Sequence, residues 1–305
     1  MKNQTKGYLL AFASVLAVSN VFIFSKAALN EVSLAQFGVY WFGFGLIWIV
    51  LYGIKNNSFS KIKYFERNIY ALFVLLGLVE IAATTFFFKA ISTIPNPAIT
   101  SFLGNVSPVI VLTLSFIFLK ERLNYLELIG VIIAISGAFI IGYKGGTNIH
   151  DMFIDGVQYI LLYTLLFSTS SVISKKYIKT LSPVLIALNR TIFLFIFSFI
   201  AMIWLKESFI IPGSALKNLF IGSIIGPFLT AVTGLLAIQY IDLSKKSIIS
   251  STKSLFVLVG AYFYFGVFPK PYEIFGGILS ITGVLLIIFG KIKQKKAIKN
   301  NLKMN

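Results

Sequence analysis

Cysteine is absent from this chain, histidine occurs once, and only 10 residues are acidic. Without a thiol there is no disulfide framework, no thiolate nucleophile and no Cys-ligated metal. The single histidine, His150 beside Asp151, supplies neither a transition-metal ligand set nor a Ser/His/Asp arrangement. Gly145-Gly146 lacks the rest of a phosphate-binding loop, so nucleotide-driven pumping has no basis here. Charged residues amount to 12%, against 57% hydrophobic and 16% aromatic. That balance belongs to a chain solvated by lipid.

What is present is a series of long apolar runs. A hydrocarbon core of ~30 Å takes about 20 helical residues. Ten such runs fall at roughly 8–29, 34–54, 69–90, 97–119, 125–143, 156–178, 183–205, 217–240, 246–268 and 272–290. The first follows Lys2 and Lys6 as a signal peptide would, but its length exceeds a signal core, and a retained helix is expected. The net charge of +17 raises a nucleic-acid partner, yet the basic residues alternate between loops as the positive-inside rule requires. With a cytoplasmic N-terminus, Lys2, Lys6, Lys55, Lys61, Lys63, Arg67, Lys120, Arg122, Lys175, Lys176, Lys179, Lys245, Lys246 and six lysines after Gly290 lie inside. Lys26, Lys89, Lys144, Lys206, Lys217 and Lys270 fall outside, and Arg190 and Lys253 lie within spans. The expectation is a multi-pass protein of the cytoplasmic membrane with both termini inside, in contact with lipid and not with nucleic acid. The pattern sets no oligomeric state.

The chain repeats itself. Ala90 to Ile117 lies over Ala237 to Tyr264 at a constant offset of 147, which superposes Thr100, Gly104 and Ser107 on Ser247, Ser251 and Ser254. Each set keeps the i, i+4, i+7 spacing of one helix face. Further on, Glu127, Gly130 and Gly137 meet Glu273, Gly276 and Gly283; at the front of each half, Asn20 and Lys26 meet Ser170 and Lys176. The halves are placed at 1–148 and 149–290, with a basic cytoplasmic tail at 291–305. Five spans is an odd number, so the second half crosses in the opposite sense. The expected fold is an all-α polytopic membrane protein of ten transmembrane helices arranged as two inverted five-helix repeats, an architecture that secondary transporters use.

Ala90 to Ile141 combines an alanine-rich end of the third span, Pro95 and Pro97, Ser107-Pro108, and Phe118-Leu119-Lys120-Glu121-Arg122-Leu123 ahead of Gly130 and Gly137. In these residues the chain resembles the drug/metabolite transporter superfamily, in particular its EamA-type ten-helix members. The resemblance implies this fold and transport of a small-molecule solute without a cofactor, in a superfamily that handles amino acids, nucleotide sugars, drugs and other metabolites. Leu255 stands where a second helix proline is common, and Gly266 to Lys270 carries no Glu. Arg190 resembles the family's arginine in the second helix of each repeat, while the first half has Trp41 there.

Polar groups deep in a bilayer are costly and belong against a cavity or each other. Glu80 lies near the middle of the third span with Thr84 one turn on. It is read either as a contact to substrate or proton, or as a buried ion pair with Lys253 or Arg190. Lys253, beside Ser250, Ser251 and Ser254, is placed to hold an acidic group of the solute; Arg190 is placed as a structural tie. Asn20, Thr100, Ser107 and Ser170 complete the candidate binding set, with back-bonding to their own helices as the alternative for the hydroxyl groups. Gly130, Gly137, Gly276, Gly277 and Gly283 read as packing residues, and Phe86, Phe87, Phe88, Trp41 and Tyr163 as core or as a stacking wall. The resulting function is a secondary transporter of a small polar or amphipathic, amino-acid-like metabolite working by alternating access, driven by a coupled proton or an exchanged solute. An enzyme on lipid-linked substrates, and a channel or scaffold, are the competing readings.

Overall fold

Short polar segments set the helix starts. The computed structural model describes residues 2–59, 67–110, 113–114, 124–145, 152–177, 181–241, 246 and 249–304, without the side chains of 2–3, 175–176 and 291–304. The first helix, α1, spans Lys2–Leu29, and α2 (Leu34–Lys55) begins at Ser33, whose hydroxyl and Gln36 form a reciprocal capping box. Next come α3 (Arg67–Thr93) and α4, which opens as Pro97–Leu103 with Asn96 as N-cap and proline at its first position. The Asn124–Glu127 capping box opens α5 (Tyr125–Gly142). Then follow α6 (Val157–Tyr177), α7 (Pro183–Trp204, capped by Ser182), α8 (Gly213–Tyr240), α9 (Ile249–Phe265) and α10 (Pro271–Met304). Among the described residues there is no strand, only an isolated antiparallel bridge between Tyr143 and Phe153 where one half passes to the next.

Eight of these helices are long and apolar enough to cross a membrane, and α9 is a shorter apolar one. Helix α4 is described through Ile110 and again at 113–114, and the other residues of its expected span lie outside the described residues. So do Lys61, Lys63, Lys120, Arg122, Lys179, Lys245, Ser247, His150, Asp151 and the 118–123 motif. Helix α10 continues past Gly290 through the basic segment that the sequence suggested as a tail.

The packing follows the repeat. Helices α2 and α7, α4 and α9, and α5 and α10 each pair with their own repeat mate, while α1 packs on α8 as α6 packs on α3. The α5–α10 contact shows the inversion directly. A Cβ on Gly130 would lie 2.6 Å from the Gly283 oxygen, and one on Gly137 would lie 2.5 Å from the Gly276 oxygen. Residue numbers rise along α5 as they fall along α10, so the helices run antiparallel with backbones in contact. Only glycine permits that approach, and dispersion across it replaces the hydrophobic force that lipid does not provide. Glu127 and Glu273 are explained too. Glu127 accepts from the Asn124 amide at 2.8 Å and Glu273 from the Lys270 amide at 2.6 Å, capping the two helices alike.

Candidate functional site

Three helices lose α-regularity at the middle of the bundle. In α4, Gly104–Val106 forms a 3-10 turn one turn before Pro108, which has no N–H for the Gly104 carbonyl. In α9, the regular helix restarts at Lys253 after a turn at Thr252. At the repeat offset of 147, Gly104–Val106 falls on Ser251, Thr252 and Lys253, so the two interruptions are repeat mates. Leu255 replaces the proline in α9; there Ser19 Oγ donates to the Lys253 carbonyl at 3.1 Å. In α8, Ile224–Thr230 is a π-turn around Pro227, a form that recurs at functional sites.

These interruptions surround a cavity of about 300 Å³. Glu80, Ser107, Ser170, Ser250, Ser251 and Lys253 line it, together with Asn105, Arg190 and Lys246. Glu80 is 8% exposed. Its Oε2 lies 2.9 Å from Arg190 Nε, and its Oε1 accepts from Ser170 Oγ at 2.5 Å. Arg190 Nη2 in turn donates to Thr84 Oγ1 at 3.1 Å. On the opposite wall, Lys253 Nζ donates to Asn105 Oδ1 at 2.9 Å, and Asn105 Nδ2 donates to Ser254 Oγ at 3.0 Å. Ser101 and Ser254 share a bond of 2.9 Å, so α4 and α9 are joined across their interruptions. Ser107 and Ser168 are 2.9 Å apart. Trp41, Phe87, Phe88 and Tyr163 form an aromatic wall in the same cavity.

Most of the expected residues therefore converge, and the others stand elsewhere. Arg190, read as a structural tie, belongs to the cavity and is the partner of Glu80; Lys253 makes no ion pair among the described residues. Asn20 is exposed, does not line the cavity and donates to the Leu16 carbonyl at 2.9 Å, the back-bonding alternative. Thr100 is fully buried away from the cavity, its hydroxyl unpartnered among the described residues. Phe86 stacks on Tyr159 instead of lining the site. Thr84 and Ser254 stand one bond behind the wall.

Lys26 and Asn105 were not legible as parts of this region. Lys26, expected at the outer end of the first span, is a buried residue of α1, 7% exposed. Its ammonium donates to the carbonyls of Ile91, Ser92 and Ile94 at 2.9, 3.0 and 3.0 Å, covering the C-terminal end of α3. A cation suits those unpaired carbonyls. Around this end the α1–α2 turn is tied to the α7–α8 loop: Ser33 donates to Glu207, Ser214 to Glu31, and Gln36 to the Ser208 carbonyl at 2.8 Å. The α1 residues that line the cavity run from Ser14 to Phe22 and stop short of Lys26 and these ties, whereas Gly234 and Lys246 line it toward the N-terminal end of α1. Among the described residues no group of three His, Cys, Asp or Glu side chains is placed to hold a metal.

Comparison with known proteins gives the same outline. The model of the EamA-like transporter family matches residues 5–143 and again 154–289. A probable terminal-alkyne amino-acid exporter of Streptantibioticus cattleyicolor is 28% identical over 200 residues, 61% of this chain and 62% of its own. An uncharacterized transporter of Archaeoglobus fulgidus is 25% identical over 152 residues, 49% of this chain and 48% of its own. The chain thus spans 62% and 48% of the length of these two curated relatives. One crystal structure superposes with a TM-score of 0.68, covering 92% of this chain and 97% of its own at 16% identity, which shows the fold.

Proposed function

The chain belongs to the EamA-like transporter family, and on that premise we propose that it is a secondary transporter carrying a small polar or amphipathic, amino-acid-like metabolite across the cytoplasmic membrane by alternating access. The observation that carries this reading is the central cavity, built where mated interruptions of α4 and α9 meet inside an inverted repeat. Two packings of pseudo-equivalent halves can present one such cavity to either face in turn. Its size suits a small metabolite. In the conformation described, hydrogen bonds join the loops at the Lys26 end; with both termini cytoplasmic, that end is the external one. The exporter among the relatives supports an amino-acid-like solute.

Charge supports gradient coupling. Arg190 and Ser170 hold Glu80 in this state, and withdrawal of Arg190 in another would leave a carboxylate ready to take up a proton. The test is an untargeted metabolite comparison of cells with and without the protein, followed by counterflow of the altered solutes in proteoliposomes. A labelled solute that transiently exceeds equilibrium inside preloaded vesicles is expected. Flux without saturation or counterflow identifies a channel, and no flux of any altered solute identifies a scaffold.

A further inference from the structure

We infer that the corner of the cavity formed by Lys253 and Asn105 is the subsite for a carboxylate, so that the solute is an organic acid or zwitterion with an apolar or aromatic body. This rests on the transporter reading and assigns its solute class. Arg190 and Lys253 line the cavity with a single carboxylate, Glu80, among the described residues. Arg190 is neutralised by that carboxylate at 2.9 Å. Lys253 has only the neutral Asn105 amide oxygen as a hydrogen-bond partner and no acidic partner among the described residues. A charge held inside a membrane bundle against a neutral amide lacks most of the compensation it had in water, and an anion entering the cavity supplies it.

Two further observations point the same way. Glu80, the one acid lining the cavity among the described residues, is already ion-paired with Arg190 and accepts from Ser170. The remaining wall, Trp41, Phe87, Phe88 and Tyr163, is aromatic and suits an apolar body or, by cation–π attraction, an ammonium group. A single ammonium suits a carboxylate; phosphate is more often met by several donors or an arginine fork.

Ligand-induced thermal stabilisation of the full chain in detergent tests this without requiring transport. The probes are L-phenylalanine, L-leucine and 3-phenylpropanoate, the amides of all three, and phenyl phosphate. At least one carboxylate should stabilise the protein at a concentration at least about tenfold below that of its amide. Lys253→Gln should abolish the difference and Lys253→Arg retain it. Asn105→Asp, which keeps the lysine but gives it an internal carboxylate, should also abolish it. Equal response to acid and amide, an undiminished preference in Lys253→Gln, or no response to any carboxylate overturns the assignment, as does tighter binding of phenyl phosphate. Acid-selective binding without counterflow would sink the transporter reading and leave the subsite standing. Counterflow without acid selectivity would do the reverse.

Discussion

Glu80 and Arg190 sit on adjacent walls of the cavity, and each compensates the other's charge where water is scarce. Removing one partner strands the second, which costs more than removing both. Arg190→Gln should therefore lower thermal stability in detergent by about 1–3 kcal/mol, the pair being partly open to the cavity, and the double change with Glu80→Gln should recover part of the loss. Additive losses would show that the pair is not coupled. For transport, Glu80→Gln is expected to stop gradient-driven accumulation while sparing exchange. Loss of both would instead put a solute amine on Glu80. The pair is asymmetric within the repeat. Trp41, the first-half counterpart of Arg190, reaches α8 at Gly222 and Gly226 through its ring. One half spends this position on charge and the other on packing.

At the scale of helices, glycine and lysine decide how closely elements meet. Gly137→Ala would place a methyl group 2.5 Å from the Gly276 oxygen, so α5 and α10 must separate. A loss of about 1–3 kcal/mol is expected in a detergent melt. Gly213→Ala, with no atom within 4 Å, should stay within about 0.5 kcal/mol. Lys26→Met strips charged donors from three carbonyls of α3 and should cost about 1.5–3 kcal/mol, with Lys26→Arg milder. If Lys26→Met melts as the unaltered chain does, the ties around the Ser33 loop alone hold that end.

The same scale shows what a sequence discloses. Span number, the repeat and the packing role of Gly130, Gly137, Gly276 and Gly283 were legible because hydropathy runs and fixed spacing are local signals. The pairing of Glu80 was not, since two basic residues in spans were equally eligible and only the crossing of α3 with α7 selects Arg190. The partners of Lys26 were not legible because a lysine in the last turn of a helix looks the same whether it faces water or another helix's carbonyls. Asn105 was missed among serines and glycines, although its place one residue after Gly104, on the repeat mate of Thr252, was a usable signal.

The whole molecule is a two-repeat bundle around a charged cavity, with hydrogen bonds joining its loops at the Lys26 end, and its orientation is testable because the chain has no cysteine. Single cysteines at Asn57 and Asn300 should react with membrane-impermeant reagents only from the cytoplasm, and one at Gly213 only from outside. The reverse pattern would invert the topology. Alternating access itself is tested most directly with Ser171→Cys, a cavity position that is not itself part of the ion pair or the Lys253 corner. The account predicts slow labelling from outside and faster labelling from the cytoplasm. Adding Lys26→Met should loosen the external end, raising the first rate while lowering the second as the population shifts. Labelling from one face only and unmoved by Lys26→Met, or rates that rise together from both faces, would contradict it.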